Sequence, residues 1–471
     1  MRKNTQSLPP GAKLRPESAL TGKLRAIAGS APDWLRKDPA RGTFGIDRQV
    51  YTDADLFELE MRYIFEGNWV YVAHESQILQ KHDFLTTYIG RQPVIVSRDG
   101  EGQVRVFLNT CSHRGARVCR ERCGNRKIWM CGFHGWCYDS AGRLINVLDE
   151  TEGGYPEGFD RAQLGLKSVA RVASYRGFIF ASINVECLPL EAYLGDARVM
   201  IDLLVDQAPN GQLQVLRGTT TYTYPGNWKL QAENGVDGYH VKAVHGNYMA
   251  TVTRRAQGTS ANDVKVFDLT KLNSTSGGFF AFEGGHAVIW GPYPNFQDRP
   301  NYEFLTTYAE RFGEERMRWM VERMRNLLLF PNVFLMDQMS TQIRVIRPLA
   351  VDATEVTAYC IAPVGESTQA RERRIRQYED FFNASGMATP DDLTEFAHCQ
   401  NGFAARGSRW SDVSRGARRW TTGAGARGAA LGMNAKLSSE GIADEGLYVA
   451  LHEEWCRRVS EAAQRELEAA R

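Results

Sequence analysis

The chain has no apolar run approaching ~18 residues, so nothing in it reads as a helix long enough to cross a bilayer. It has almost no charge excess: 57 Lys and Arg stand against 55 Asp and Glu, a net charge of +2. That balance excludes a broad positive field, and neither nucleic acid nor membrane is expected as a partner. The first ~30 residues are basic and rich in Pro, Gly and Ser, and lack the apolar core of a secretory signal. They read as a mobile tail over residues 1–30. No internal repeat or low-complexity domain interrupts the 471 residues, a length that predicts two domains rather than one core. Seven of the nine cysteines (Cys119, Cys123, Cys137, Cys187, Cys360, Cys399 and Cys456) show no paired spacing. An odd count without a signal segment argues against a disulfide framework and points to the reducing cytoplasm.

The remaining two cysteines are the most informative feature. They stand in Cys111-Ser-His113 and, after 17 intervening residues, in Cys131-Gly-Phe-His134. Two Cys and two His also suit structural zinc, but zinc fingers group Cys with Cys and His with His, whereas each loop here supplies one of each. The mixed pairs are the ligand set of a Rieske [2Fe-2S] cluster, with two thiolates on one iron and two imidazoles on the other. Exchanging thiolates for neutral imidazoles makes the cluster less anionic and raises its potential above that of an all-Cys ferredoxin. Gly115, Gly132 and Gly135 lie beside the ligands, where tight turns must aim backbone N–H groups at the sulfides. Such a one-electron donor needs an acceptor, in the same chain or docked against it.

Thr52-Asp-Ala-Asp55 ahead of Leu56, Phe57, Ile64 and Phe65 predicts an N-capped amphipathic helix ending at Gly67. From residue 69 to 183, short β-rich runs at 94–97, 104–107 and 178–181 alternate with turns, and the Cys-His loops lie between them. This predicts an all-β cluster domain. Beyond residue 190 the pattern is mixed. Helices are expected over 194–205, 227–245, 311–325, 370–382 and 447–470, and strands over 214–224, 334–348 and 355–361. Residues 253–300 show no clear period.

A second constellation is Glu233-Asn-Gly-Val-Asp237-Gly-Tyr-His240 followed by His245. Two histidines and a carboxylate are the inventory of a facial triad on non-haem Fe(II), which leaves positions open for O2. On a regular helix the two histidines would stand about 140° apart, so the helix must bend or end for both to reach one ion. Asp237, three residues before His240, lies on nearly the same face. By spacing it is either the third ligand or a hydrogen-bond acceptor connecting the two metal sites. A pure electron carrier without catalytic iron would not need the ~300 residues beyond the cluster domain.

Asn109-Thr-Cys-Ser-His-Arg-Gly115, Cys131-Gly-Phe-His-Gly-Trp136 and the run from Glu233 to His245 resemble the large (alpha) subunits of Rieske non-haem iron ring-hydroxylating dioxygenases. Phe65-Glu-Gly-Asn-Trp-Val70, Phe334-Leu-Met-Asp-Gln-Met-Ser-Thr-Gln342 and Gly386-Met-Ala-Thr-Pro-Asp-Asp392 extend the resemblance to the benzoate and anthranilate 1,2-dioxygenase branch. The resemblance implies that Cys111 and Cys131 hold one cluster iron, and His113 and His134 the other. It implies that His240, His245 and the distant Asp392 hold the mononuclear iron. Asp237 then bridges His240 to a cluster histidine of a neighbouring subunit, with Asn234 beside the iron and Phe382 on the pocket wall.

The fold implied is α+β, with a Rieske β domain inserted into a catalytic domain of antiparallel sheet and surrounding helices. The division is a tail over 1–30, a helical part of the catalytic domain over 31–68, the cluster domain over 69–183 and the catalytic iron domain over 184–471. The implied activity is cis-dihydroxylation of an aromatic carboxylate with O2, electrons coming from NADH through a reductase. An α3β3 assembly with a small beta subunit goes with it. A Rieske monooxygenase or demethylase of an aromatic acid is the alternative.

Overall fold

The computed structural model describes residues 34–150, 154–257 and 277–469. The tail expected over 1–30 lies outside the described residues. The main body is a nine-stranded antiparallel sheet. Its strands run in the order Leu213–Tyr224, Ala353–Pro363, Thr341–Ala350, Val333–Asp337, Arg323–Leu329, Ala287–Pro292, Gly278–Ala281, Leu437–Ser439 and Thr421–Thr422. Strand alternation splits its side chains between two cores. Phe334 and Met336 enter the core on one face, and Val333 and Leu335 the core on the other. The helices Trp228–Asn234, Thr389–Gly402 and Gly446–Ala469 cover the first face, where Trp228, Phe396, Leu451 and Trp455 are buried. Arg198–Val205 and Glu314–Val321 cover the second through Ile201, Leu204, Trp319 and Met320.

The segment before the cluster domain belongs to the first face. Asp53 caps the helix Ala54–Leu59 by accepting from the Asp55 and Leu56 amides at 2.9 and 3.2 Å. The helix widens into a π turn over Glu60–Phe65, so that Leu56, Phe57, Ile64 and Phe65 all reach the same core. The strands Leu35–Asp38 and Thr43–Asp47 pair with each other, and the second also pairs with Trp410–Asp412 far along the chain.

The cluster-bearing part is all β. A four-stranded sheet runs in the order Val104–Leu108, Gln92–Arg98, Asp83–Ile89 and Cys123–Asn125, and a three-stranded one in the order Leu144–Asn146, Cys137–Asp139 and Ile128–Met130. The first Cys-His loop follows Val104–Leu108, and the second joins Ile128–Met130 to Cys137–Asp139. The chain enters this part along Val70–His74 and leaves along Phe178–Ser182, and these two strands pair antiparallel with His74 opposite Phe178. Asn332 from the main sheet fixes the joint, donating to the Tyr71 carbonyl at 3.1 Å and accepting from its amide at 2.9 Å.

Several stretches differ from the expected elements. The helix expected over 311–325 is two helices, Leu305–Phe312 and Glu314–Val321, broken at Gly313 (φ 82°), and residues from Arg323 onward enter the sheet. The charged pattern that reads as a wet helix face instead hides a buried ion pair, in which Arg325 meets Asp337 from the neighbouring strand. The single strand expected over 334–348 is two strands with a turn at 338–340. Within the stretch without a period lie the strands Gly278–Ala281 and Ala287–Pro292, whose Gly and Ala residues dilute the strand signal.

Candidate cluster and metal centres

The two Cys-His loops repeat one backbone pattern. Cys111 donates its amide to the Ala116 carbonyl at 2.8 Å, and its own carbonyl accepts from Gly115 N–H at 2.8 Å. Cys131 does the same with Trp136 at 2.8 Å and Gly135 at 3.0 Å. The turn needs a residue with positive φ four places after each cysteine, and Gly115 (75°) and Gly135 (72°) provide it. Both cysteines are buried, and the His113 and His134 rings lie 4.5 Å apart at the open end. Trp136 stacks on His113 at 5.0 Å. Tyr138, fully buried, accepts from Ser112 N–H at 3.1 Å, which leaves its hydroxyl proton for Cys111 Sγ at 3.1 Å. His113 Nδ1 is buried without a hydrogen-bond partner among the described residues. Two thiols close enough to interact, two adjacent imidazoles and an orphaned ring nitrogen fit a [2Fe-2S] cluster. Cys119 and Cys123 stand apart from this set. Cys119 reaches toward Glu121, and burial pushes its thiol up to about 11. Cys137, absent from the expected site, backs the second loop by donating to the Gly135 carbonyl at 3.3 Å.

The second site starts from a helix that must end early. Asn227 caps Trp228–Asn234, and the helix stops where Gly235 crosses the sheet. A Cβ at Gly235 would lie 2.3 Å from Phe334 Cζ. Only a helical turn, Val241–Val244, then separates the histidines, and His245 leaves helical geometry with φ −95° and ψ 27°. The bend predicted from a 140° separation is thus present, and the continuous helix expected over 227–245 is not. Asp237 organises the turn. Its Oδ1 accepts from Tyr239 N–H at 2.6 Å and His240 N–H at 3.4 Å. Its Oδ2 lies 3.1 Å from His240 Nδ1, at ion-pair distance but off the line of the ring N–H.

With Nδ1 turned toward Asp237, His240 presents Nε2 to Asp392 Oδ1 at 3.5 Å. His245 Nε2 stands 3.4 Å from the same oxygen. One ligand atom from each of these three residues lies within 4.8 Å of the others. Asp392 reaches the site from the first turn of Thr389–Gly402, after Pro390, so it is both a helix-start residue and a site residue. Asn234 Nδ2 lies 3.3 Å from Asp392 Oδ1 and 3.4 Å from His240 Nε2. Asp237 is not in the convergent set; it sits behind His240, with 22% of its side chain exposed.

Burial sets the charges. It lowers His245 to about 3, so this ring is neutral at pH 7. It raises Asp392 to about 6, against the pull of His240 and Arg344. Burial also pulls His240 down, but Asp237 and Asp392 outweigh it and leave that ring above its ordinary value. At Asp237 burial pushes upward, yet His240 and the two backbone donors hold the carboxyl below its usual range. Two imidazoles and one desolvated carboxylate on one side of an ion fit Fe(II) with positions left open.

The adjoining cavity is lined by Asn326, Met336, Gln338, Met339, Phe381 and Phe382. Its free space is ≈30 Å³, about one water's share. Of the lining side chains, the unbranched Met336 and Met339 are the ones that give most easily. Phe382 lies where the pocket wall was expected. Met336, Gln338, Met339 and Phe381 were not anticipated individually, although the first three fall inside the motif over 334–342.

A family model described as the ring hydroxylating alpha subunit (catalytic domain) matches residues 214–462, and one described as the Rieske [2Fe-2S] domain matches residues 68–169. Toluate 1,2-dioxygenase subunit alpha of Pseudomonas putida is 48% identical over 433 residues, 92% of this chain and 94% of that protein. The anthranilate 1,2-dioxygenase large subunit of Acinetobacter baylyi is 48% identical over 429 residues, 89% of this chain and 90% of that one. Among solved structures, naphthalene 1,2-dioxygenase with indole in its active site superposes with a TM-score of 0.77 at 25% identity, covering 90% of this chain and 94% of that one. A model spanning the main sheet, a second spanning the cluster loops and near-full-length likeness to two large subunits agree with the geometry, and this chain belongs to the family of Rieske ring-hydroxylating dioxygenase large subunits.

Proposed function

We propose that the chain is the terminal oxygenase subunit that cis-dihydroxylates an aromatic carboxylate of the benzoate, anthranilate or 2-halobenzoate type. The observation behind this reading is the convergence of His240, His245 and Asp392 in the same chain as the Cys111, His113, Cys131 and His134 set. The likeness to toluate and anthranilate enzymes adds the substrate class. When bound, the cluster supplies single electrons and the mononuclear iron supplies O2 activation. His240 Nε2, His245 Nε2 and an Asp392 oxygen are the three ligands in this reading. Asn234 holds Asp392 in place by a hydrogen bond, and Phe381 and Phe382 wall the substrate side.

Asp237 is read here as an inter-subunit bridge. Its contacts among the described residues are with Tyr239, His240 and Tyr448, and its side chain is partly exposed. Next to it Tyr239 is exposed, as are Met130, Phe133 and Leu148 around the cluster loops. Exposed apolar side chains at both ends fit docking of one subunit's cluster against the next subunit's iron site. A small beta subunit in an α3β3 assembly, an NADH-dependent reductase and a cytoplasmic location complete the reading, with domain divisions at 31–68, 69–183 and 184–471. No helix among the described residues is long and apolar enough to cross a membrane.

The test is product analysis of the purified oxygenase with its reductase, NADH and O2, offered benzoate, anthranilate and 2-chlorobenzoate. A cis-diol across the carboxyl-bearing carbon and its neighbour, or the catechol that follows from it, is expected. A singly hydroxylated or demethylated product alone would sink the dioxygenase reading in favour of a monooxygenase.

A further inference from the structure

Four arginines are buried among the described residues: Arg299, Arg325, Arg344 and Arg374. Three have carboxylate partners. Arg299 and Arg325 share Asp337, and Arg374 holds Glu366 at 2.7 Å. Arg344 is 1% exposed, and no described carboxylate lies within ion-pair reach of it. Its Nε and Nη2 are buried without a hydrogen-bond partner among the described residues. A desolvated charge left unpaired is costly, so it marks a place where an anion belongs. The two orphaned nitrogens are also a particular pair. Nε–H and Nη2–H lie on the same edge of the planar guanidinium, pointing in parallel, and that edge matches the two oxygens of a carboxylate.

Arg344 lies directly behind the wall of the iron pocket. Arg344 lies in the strand Thr341–Ala350, two residues from Gln342 and so on the same face. Gln342 pairs directly with Met336, a lining residue of the cavity, which makes Arg344 the diagonal neighbour of Met336. Its guanidinium stands 5.0 Å from the ring centre of Phe382, which lines the same cavity as His240, His245 and Asp392.

We propose that Arg344 is the receptor for the substrate carboxylate, taken side-on by Nε and Nη2. The inference rests on the proposed action on aromatic acids and adds the residue that selects them. Tethering the carboxylate fixes the carboxyl-bearing carbon and its ortho neighbour relative to the triad, so one contact sets both acid selectivity and the site of attack. A neutral arene leaves the guanidinium unpaired and is rejected for that reason.

The experiment compares the metal-replete wild type with Arg344→Met and Arg344→Lys. Binding of benzoate and of toluene is measured by equilibrium dialysis, alongside the kcat/KM ratio for the two. For Arg344→Met the benzoate dissociation constant should rise on the order of 100-fold, with a much smaller change for toluene. For Arg344→Lys, which keeps the charge but not the fork, the loss should be intermediate. Thermal melting of Arg344→Met without substrate should be close to that of wild type, because no native ion pair or hydrogen bond is lost and only the contact with the Phe382 ring changes. If Arg344→Met binds benzoate as wild type does, or weakens both ligands equally, the assignment is wrong while wild-type turnover of benzoate leaves the function standing. If Arg344→Met does not fold, the charge has a structural role and Arg344→Lys decides, with wild-type benzoate affinity overturning the proposal. A wild type that prefers toluene to benzoate would instead defeat the functional reading itself.

Discussion

At the scale of single residues, the iron site is a set of polar groups whose burial is unfavourable until a cation joins them. His240→Ala, His245→Ala and Asp392→Ala should each lose most of the mononuclear iron and the activity while keeping the cluster, read as iron per chain beside an intact cluster spectrum. Acid should act the same way through Asp392. Its carboxyl is raised from 3.8 to about 6, and only the ionised form binds metal, so iron affinity should fall as pH drops through about 6 and level off above it. Without metal the sign reverses. The folded chain holds that proton over a window where the unfolded chain does not, so the apo-protein should lose stability as pH rises from about 4 to about 6. The cluster ligands were legible because a thiolate and an imidazole in one short loop have little other use. Asp392, 147 residues beyond His245 (392 − 245), had no local signal except a helix start and was reached by resemblance. Arg344 was not legible at all. What distinguishes it from the other three buried arginines among the described residues is the absence of a carboxylate partner, and no sequence pattern records that.

At the scale of elements, the helix break that brings His240 and His245 together depends on how closely Trp228–Asn234 ends against the sheet. Gly235→Ala would put a methyl group 2.3 Å from Phe334 Cζ. The helix end must then lift or Phe334 must turn, at a cost of about 1–3 kcal/mol. The expected result is a lower melting temperature and partial loss of mononuclear iron with a full complement of cluster. Normal iron occupancy in Gly235→Ala would show that the turn forms without this close approach. Periodicity found most of the helices and strands, and it failed where tertiary context replaces it. The segment over 227–245 reads as helical through residues 235–238 because propensity does not see the sheet beneath. Arg323 to Arg325 reads as a helix end because its arginines look solvated, whereas the stretch opens a strand in which Arg325 is matched by Asp337 one strand away.

At the scale of the whole molecule, the two redox sites need a connection. Asp237 is partly exposed beside one of them with Tyr239 exposed next to it, and Met130, Phe133 and Leu148 are exposed around the other. Asp237→Ala and Asp237→Asn should retain cluster and iron, and the cluster should still be reduced by its partner protein. Turnover should fall by at least about 100-fold, because an amide oxygen is a weaker acceptor for an imidazole N–H and a methyl group is none. Stopped-flow re-oxidation of the pre-reduced cluster with substrate and O2 present is the decisive measurement. Wild-type rates in a metal-replete Asp237→Ala variant would rule the bridge out. The antiparallel rung between His74 and Phe178 has a consequence of another kind. Residues 75–177 leave and return at a single pair of facing positions, with Cα atoms on the order of 5 Å apart. To the polypeptide this is a hairpin with a very long tip. A cut at that rung, however, would also remove Arg171–Tyr175, which pairs with the other edge of Phe178–Ser182 in a small three-stranded sheet separate from the main one. The natural unit of exchange is therefore the stretch between Val70–His74 and Arg171–Tyr175, with all three strands of that border sheet left in place.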